Sequence, residues 1–389
     1  MFNGLEVDVL SLGDADCIVV THWTHFGPQR ILVDGGTEDD AEVVFEFLRR
    51  RKFTDFWAVI CSHQHRDHAR GLIKLIQNKQ LTYQNCWMHD IRQHFSRDAL
   101  RRAMAGNSSE ADALREIVET TGELARAFAD RKLVSQEPFA GVTIASYPPM
   151  VALGPSLEFY NRVVRELVDV DAPRTVQPSF LAALAAAGTS QAPSPLFASA
   201  SVFSPPARPY TTLSSLLAPP VPRPVYGSLL PALAGTLSKS SLKDNPVTQP
   251  FNNTSTILGI LLEGNRFLFT ADAGTRALER VPLEWKNLKW MQVPHHGSEG
   301  NLSPDLIERF RPEFANISAS GDSSHPSRAV VSGLVKVGAK VFSTHQSGHL
   351  WFWIGRVPAR ADYLEAIPMK GTGRPAPVLN RSLGPNIFR

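Results

Sequence analysis

Cysteine is scarce in this 389-residue chain: Cys17, Cys61 and Cys86 are an odd number, set in apolar segments. That argues against a disulfide-built scaffold and fits buried thiols in a reducing compartment. No apolar run approaches the ~18–20 residues needed to cross a bilayer, so no membrane partner is expected. The opening residues, MFNGLEVDVLSLGDADC, set no apolar stretch behind a basic one. No signal peptide is therefore expected, and the expected compartment is the cytoplasm. A large charge excess is missing too. A net charge of +3 permits nucleic-acid binding without arguing for it. Aspartate and glutamate vanish from Ala172 to Lys243, a stretch rich in Ala, Pro, Ser and Leu. Residues 171–250 read as an insertion or linker with short helices at 179–187 and 212–217. Their Leu and Phe content makes them a candidate arm for a protein partner.

What is present outside that tract alternates strands and helices. LEVDVLSL (5–12) and CIVVTHW (17–23) alternate apolar and polar residues, as half-buried strands do. RILVDGG (30–36) is an apolar run that stops at two glycines, and FWAVICS (56–62) reads as a strand buried on both faces. Between them, 39–52 has acids in its first turn and bases in its last, which suits a helix dipole. Helices are expected over 107–132, capped by Ser108 or Ser109, and over 153–167, capped by Ser156. STILGILLEG (255–264) and RFLFTAD (266–272) read as a hairpin turning at Gly264-Asn265. Strands at 288–298, 313–320 and 339–345 follow, with helices at 303–311 and 327–337 between them. His22 and His25, near Trp23, read as an exposed hairpin tip.

CSHQHRDHAR (61–70) then puts His63, His65, Asp67 and His68 within six positions, in a chain with 12 histidines. A two-residue spacing just after a strand points both imidazoles to one side. Imidazole and carboxylate together suit zinc, manganese or iron. A structural zinc site closes with four ligands and usually includes cysteines. The only nearby cysteine, Cys61, precedes the loop, which favours an open, catalytic site.

These residues resemble the metallo-β-lactamase superfamily, whose hallmark is H-x-H-x-D-H, here His63 to His68 followed by Gly71. LVDGG (32–36), NNTSTILGILLEGNRFLFTADAG (252–274), VPHHGS (293–298), SHP (324–326) and GAKVFSTHQSGHL (338–350) extend the likeness. With LGDAD (12–16), the pattern is similar to the ComEC-like hydrolase domain of competence proteins. The resemblance implies an α/β fold, the αββα sandwich, with residues 1–170 and 251–356 as its halves and 357–389 as a C-terminal extension. It implies two divalent ions, zinc first, with manganese or iron as alternatives, about 3.5–4 Å apart and sharing a hydroxide nucleophile. His63 and His65 would hold one ion, Asp67 and His68 the other, and Asp272 would bridge them.

Either histidine of PHHGS could be a ligand. His296 is favoured because His-Gly-Ser resembles a His-x-Ser metal motif, which leaves His295 behind the ligands or against substrate. His89, in CWMHD, is the candidate third ligand of the first ion, with His94 as the alternative. His325, and after it His345 or His349, could protonate a leaving group or bind phosphate, and Ser298 and Thr344 could donate to phosphate oxygens. Asp14 or Asp16 could buttress the ligands. Asp67, His295 and His325 are the expected catalytic residues.

The expected activity is that of a metal-dependent phosphodiesterase or nuclease on nucleic acid or nucleotides, with Arg66, Arg97, Arg101 and Arg102 as phosphate contacts. A carbonyl substrate such as a lactone or thioester is the alternative within enzymes. An effector subunit activated by a partner protein is the alternative outside them.

Overall fold

A computed structural model describes residues 2–168, 242, 248–322, 325–360 and 365–371. The insertion at 171–250 lies outside those residues apart from Leu242 and 248–250, and so does the tail from 372. Residues 1–176 and 240–389 form one compact unit, to which all described residues belong.

The described residues form two seven-stranded sheets. The first holds β1 (Asn3–Val9), β2 (Ile18–Thr24), β3 (Gly27–Val33), β4 (Asp55–Ile60), β5 (Thr82–Trp87) and β6 (Ser135–Gln136). The second holds β7 (Thr143–Ala145), β8 (Met150–Gly154), β9 (Ile257–Leu262), β10 (Asn265–Phe269), β11 (Trp290–Gln292), β12 (Phe314–Ile317) and β13 (Lys340–Ser343). β14 (Leu350–Arg356) returns to pair antiparallel with β1, so the first sheet runs β14-β1-β2-β3-β4-β5-β6. The second runs β13-β12-β11-β10-β9-β8-β7. In each sheet an antiparallel meander gives way to parallel strands, β3 to β6 in one and β10 to β13 in the other.

Leu5, Val7, Val9, Ile18 and Val20 of the first sheet share one core with Leu258, Ile260, Phe267 and Phe269 of the second. Helices cover the outer faces. α1 (Ala41–Arg51), α2 (Arg66–Gln77) and, beyond the short helices α3 (Ile91–His94) and α4 (Arg97–Met104), α5 (Ser109–Asp130) pack on the first sheet through Phe47, Leu72 and Leu124. α6 (Leu157–Leu167) and two later helices, Pro304–Phe310 and Arg328–Lys336, pack on the second through Phe159, Phe310 and Leu334. The result is the αββα sandwich of the metallo-β-lactamase fold.

The alternation in β1 does place Leu5, Val7 and Val9 in the inter-sheet core, but its other face is buried as well. Glu6 is met by Arg51 at 3.0 Å and Asp8 by Arg360 at 2.6 Å, which supplies the pairing that buried carboxylates need. Arg360 comes from the C-terminal extension. The hairpin turns one residue earlier than expected. Glu263 and Gly264, both at positive φ, are its central pair, and Leu262 pairs with Asn265. His22 is not at an exposed tip: it is 5% exposed on β2 and stacks on Tyr147.

Candidate metal centre

Parallel strands open a crevice beyond their carboxyl ends, and the chemistry-bearing loops gather there. His63 to His68 follow β4, Asp272 follows β10, and His295 and His296 follow β11. His65 stands at the N-cap of α2, so Asp67 and His68 occupy its first turn. The loop is pinned by close backbone contact at two glycines. Gly71 N donates to Gly36 O, and a Cβ at Gly71 would lie 2.0 Å from Gly35 O.

Two donor groups meet at Asp272. In one, His63, His65 and Asp272 offer atoms within 4.8 Å of one another; in the other, Asp67, His68, Asp272 and His296 do. His63 Nε2 lies 3.1 Å from His65 Nδ1 and 3.7 Å from Asp272 Oδ2. His68 Nε2 lies 3.3 Å from Asp272 Oδ1 and 3.5 Å from Asp67 Oδ2, and His296 Nε2 lies 3.2 Å from Asp67 Oδ2. Donors on a tetrahedral ion with bonds of about 2.0–2.1 Å stand roughly 3.3–3.4 Å apart. The spacings therefore fit a pair of ions, with one carboxylate oxygen turned to each group. His68 Nε2 and Asp272 Oδ1 are buried without a hydrogen-bond partner among the described residues, which is costly unless something binds them.

Surrounding residues aim these donors. His68 Nδ1 lies 2.8 Å from Asp34 Oδ2, and Ser62 Oγ donates to the same carboxylate oxygen at 2.6 Å. His296 Nδ1 donates to Ser318 O at 3.1 Å. In both rings Nδ1 holds the hydrogen and Nε2 faces the site. Asp16 accepts from Gln292 at 2.8 Å and lies 3.9 Å from His68 Nδ1. Burial would hold His68 neutral, but Asp272, Asp67 and Asp34 outweigh it and raise its pKa well above the usual value. The same balance lifts His296 to about 9, with Asp67 the strongest opposing influence. Burial alone would push Asp67 and Asp272 up, yet His68 beside both holds them well below the usual carboxylate range. Burial, reinforced by neighbouring imidazoles, keeps His63 and His65 low and so ready to ligate as neutral rings.

His325 stands at the rim, 3.7 Å from Asp14 Oδ2, with its ring 5.5 Å from that of His295 and 5.9 Å from that of His296. Ser320 N donates to the other oxygen of Asp14 at 2.8 Å. The remaining expected residues are not brought in. His89 is buried between the rings of Phe139 and Tyr160, outside both donor groups. Its backbone carbonyl, rather than its ring, reaches the motif by accepting from Gln64. His94 pairs with Glu137, His345 with Ser343, and His349 accepts from Ser11 N. Thr344 is spent on Ala319. Asp34 and Asn301 went unassigned in the sequence. Asp34 lies in the quoted LVDGG stretch, where its role had no local signal, and nothing in the sequence marked Asn301.

No family model matches the sequence. A stretch of 105 residues, 26% of this chain, is 29% identical to ComE operon protein 3 of Bacillus subtilis (strain 168). A stretch of 119 residues, 29% of this chain, is 30% identical to competence protein ComA of Neisseria gonorrhoeae. The chain spans only 14% and 17% of those proteins' lengths. A long-form RNase Z from yeast aligns over 82% of this chain and 37% of its own at 10% identity, with a TM-score of 0.36, a likeness too slight to argue from. No helix among the described residues is long and apolar enough to cross a membrane. In fold and motif order the chain is similar to the metallo-β-lactamase superfamily, and in sequence to competence proteins.

Proposed function

We propose that the chain is a metal-dependent hydrolase with a dinuclear site, acting on phosphodiesters of nucleic acid or nucleotides. The observation that carries this reading is the pair of donor groups sharing Asp272, with spacings of 3.1–3.7 Å. His63, His65 and Asp272 would hold one ion, and Asp67, His68, Asp272 and His296 the other. Zinc suits this donor set best, with manganese and iron as alternatives. Bound there, two divalent ions would supply a nucleophile at neutral pH and offset the charge that develops in phosphodiester cleavage.

The chain's own residues do the rest. Asp34 and Ser318 fix the tautomers of His68 and His296. His325, 3.7 Å from Asp14 through Nδ1, would serve as the proton donor to the leaving oxygen. Arg66, 71% exposed inside the motif, and the exposed Arg97, Arg101 and Arg102 of α4 offer cations for flanking phosphates.

The test is turnover of bis-p-nitrophenyl phosphate by metal-loaded protein, before and after chelation, beside Asp272→Ala. Chelator-sensitive turnover that Asp272→Ala abolishes with the fold intact is expected. Turnover that survives either treatment would refute the dinuclear reading. Bound metal without phosphodiester turnover would move the substrate to a lactone or thioester.

A further inference from the structure

The geometry points to both histidines of PHHGS as metal ligands, one for each ion: His296 for the ion at Asp67 and His68, and His295 for the ion at His63 and His65. This rests on the two-metal reading above.

Asp272 sorts the two rings. His295 Nε2 lies 3.6 Å from Asp272 Oδ2, the oxygen that His63 Nε2 approaches at 3.7 Å. His296 Nε2 instead meets Asp67 Oδ2, beside the Oδ1 and His68 side of the carboxylate. Adjacent residues rarely serve two neighbouring ions, because successive side chains diverge on a helix and oppose each other on a strand. Here the backbone leaves both regimes. His295 and His296 sit at φ 49° and 55°, and Gly297 follows at 81°. Left-handed backbone at two non-glycine residues in succession is costly and persists where the surroundings over-determine it. His295 N donates to Ala271 O at 3.1 Å, Ser298 N donates to His295 O at 2.8 Å, and a Cβ on Gly297 would lie 2.8 Å from Pro326 Cβ.

Asn301 then fixes the His295 tautomer. Its Nδ2 donates to Asp272 O at 2.8 Å, and a carbonyl can only accept, so the amide orientation is set. Oδ1 therefore faces His295 Nδ1, 2.9 Å away, and Nδ1 carries the hydrogen. Asn252 Nδ2, which donates to Thr248 at 2.9 Å, stands farther from the same nitrogen, at 3.4 Å. With Nδ1 turned to Asn301, Nε2 faces Asp272 Oδ2 across 3.6 Å, a spacing that two donors of one ion would have. His295 is not within 4.8 Å of every donor in the first group, so it joins that group at its edge. The third imidazole expected from the strand after the motif is supplied instead by the loop after β11.

The test is a cobalt titration followed by d–d absorption and by elemental analysis of the washed protein. Wild type and His89→Ala should each hold two equivalents. His295→Ala should hold one tightly and bind the second at least about 100-fold more weakly, with a changed cobalt spectrum. Two equivalents at wild-type affinity with an unchanged spectrum would overturn the inference, even if turnover fell, because His295 would then touch substrate alone. Should His295→Ala fail to fold, Asn301→Ala frees the ring without removing it and should weaken the same equivalent about 10-fold; unchanged affinity there overturns the inference as well. Fewer than two equivalents in wild type would instead sink the two-metal reading on which it rests.

Discussion

Asp34 Oδ2 lies 2.8 Å from His68 Nδ1, a contact across 34 residues that turns His68 Nε2 toward Asp272. Asp34 reaches it from a left-handed backbone at φ 59°, just before the double glycine. Because Asp34 orients a donor without touching the ion, Asp34→Asn should weaken metal binding by about 10–100-fold with the fold retained. Competition against a chromophoric chelator measures this. Unchanged affinity would mean that the contact does not orient His68.

Gly71 and Gly35 hold the start of α2 against the turn after β3 that carries Asp34. A Cβ at Gly71 would lie 2.0 Å from Gly35 O, and backbone cannot give way as a side chain can. Gly71→Ala should therefore destabilise by about 3 kcal/mol, read as a lowered denaturation midpoint. A midpoint equal to wild type would show that the two segments are not packed as described.

Much of this was legible in the sequence because local pattern carries it. The apolar run before H-x-H-x-D-H and the helix caps at Ser108 and Ser156 are short-range signals, and each matches the structure in place and type. What was not legible depends on distant segments meeting. Glu6 and Asp8 look like solvent-facing positions until Arg51 and Arg360 arrive to pair them. β14 pairs with β1 from the other end of the chain, which no periodicity announces. His89 sits at the right place in the sequence for a ligand, but its ring packs between Phe139 and Tyr160. The left-handed turn that separates His295 from His296 is a backbone property, invisible in the letters PHHGS.

His349 gives the fold a pH dependence. Burial, with Arg360 and Arg50 nearby, pushes it down to about 4, and its Nδ1 accepts from Ser11 N at 2.8 Å. The unfolded chain takes up this proton near pH 6.5, so the folded state holds fewer protons between pH 6.5 and 4. Stability is present above that window and falls as pH drops through it. Between pH 7 and 5, wild type should lose on the order of 2 kcal/mol more than His349→Gln. Urea unfolding at both pH values reads this, and equal losses would contradict it.

The donors lie in 63–68 and 272–296, on either side of the acid-free tract. Phe251, just after it, packs in one cluster with Tyr160 and Val164 of α6, just before it. The chain thus leaves and re-enters within one packed region. Replacing 175–240 with a short Gly/Ser linker should leave metal content and thermal midpoint close to wild type. An insoluble or metal-free product would mean that the tract is part of the core.

The central claim is that one carboxylate, Asp272, bridges two ions. Electron paramagnetic resonance of protein loaded with two equivalents of manganese tests it most directly. The account predicts an exchange-coupled pair, which Asp272→Ala converts to uncoupled ions. The spectrum of isolated ions in the wild-type protein would contradict it.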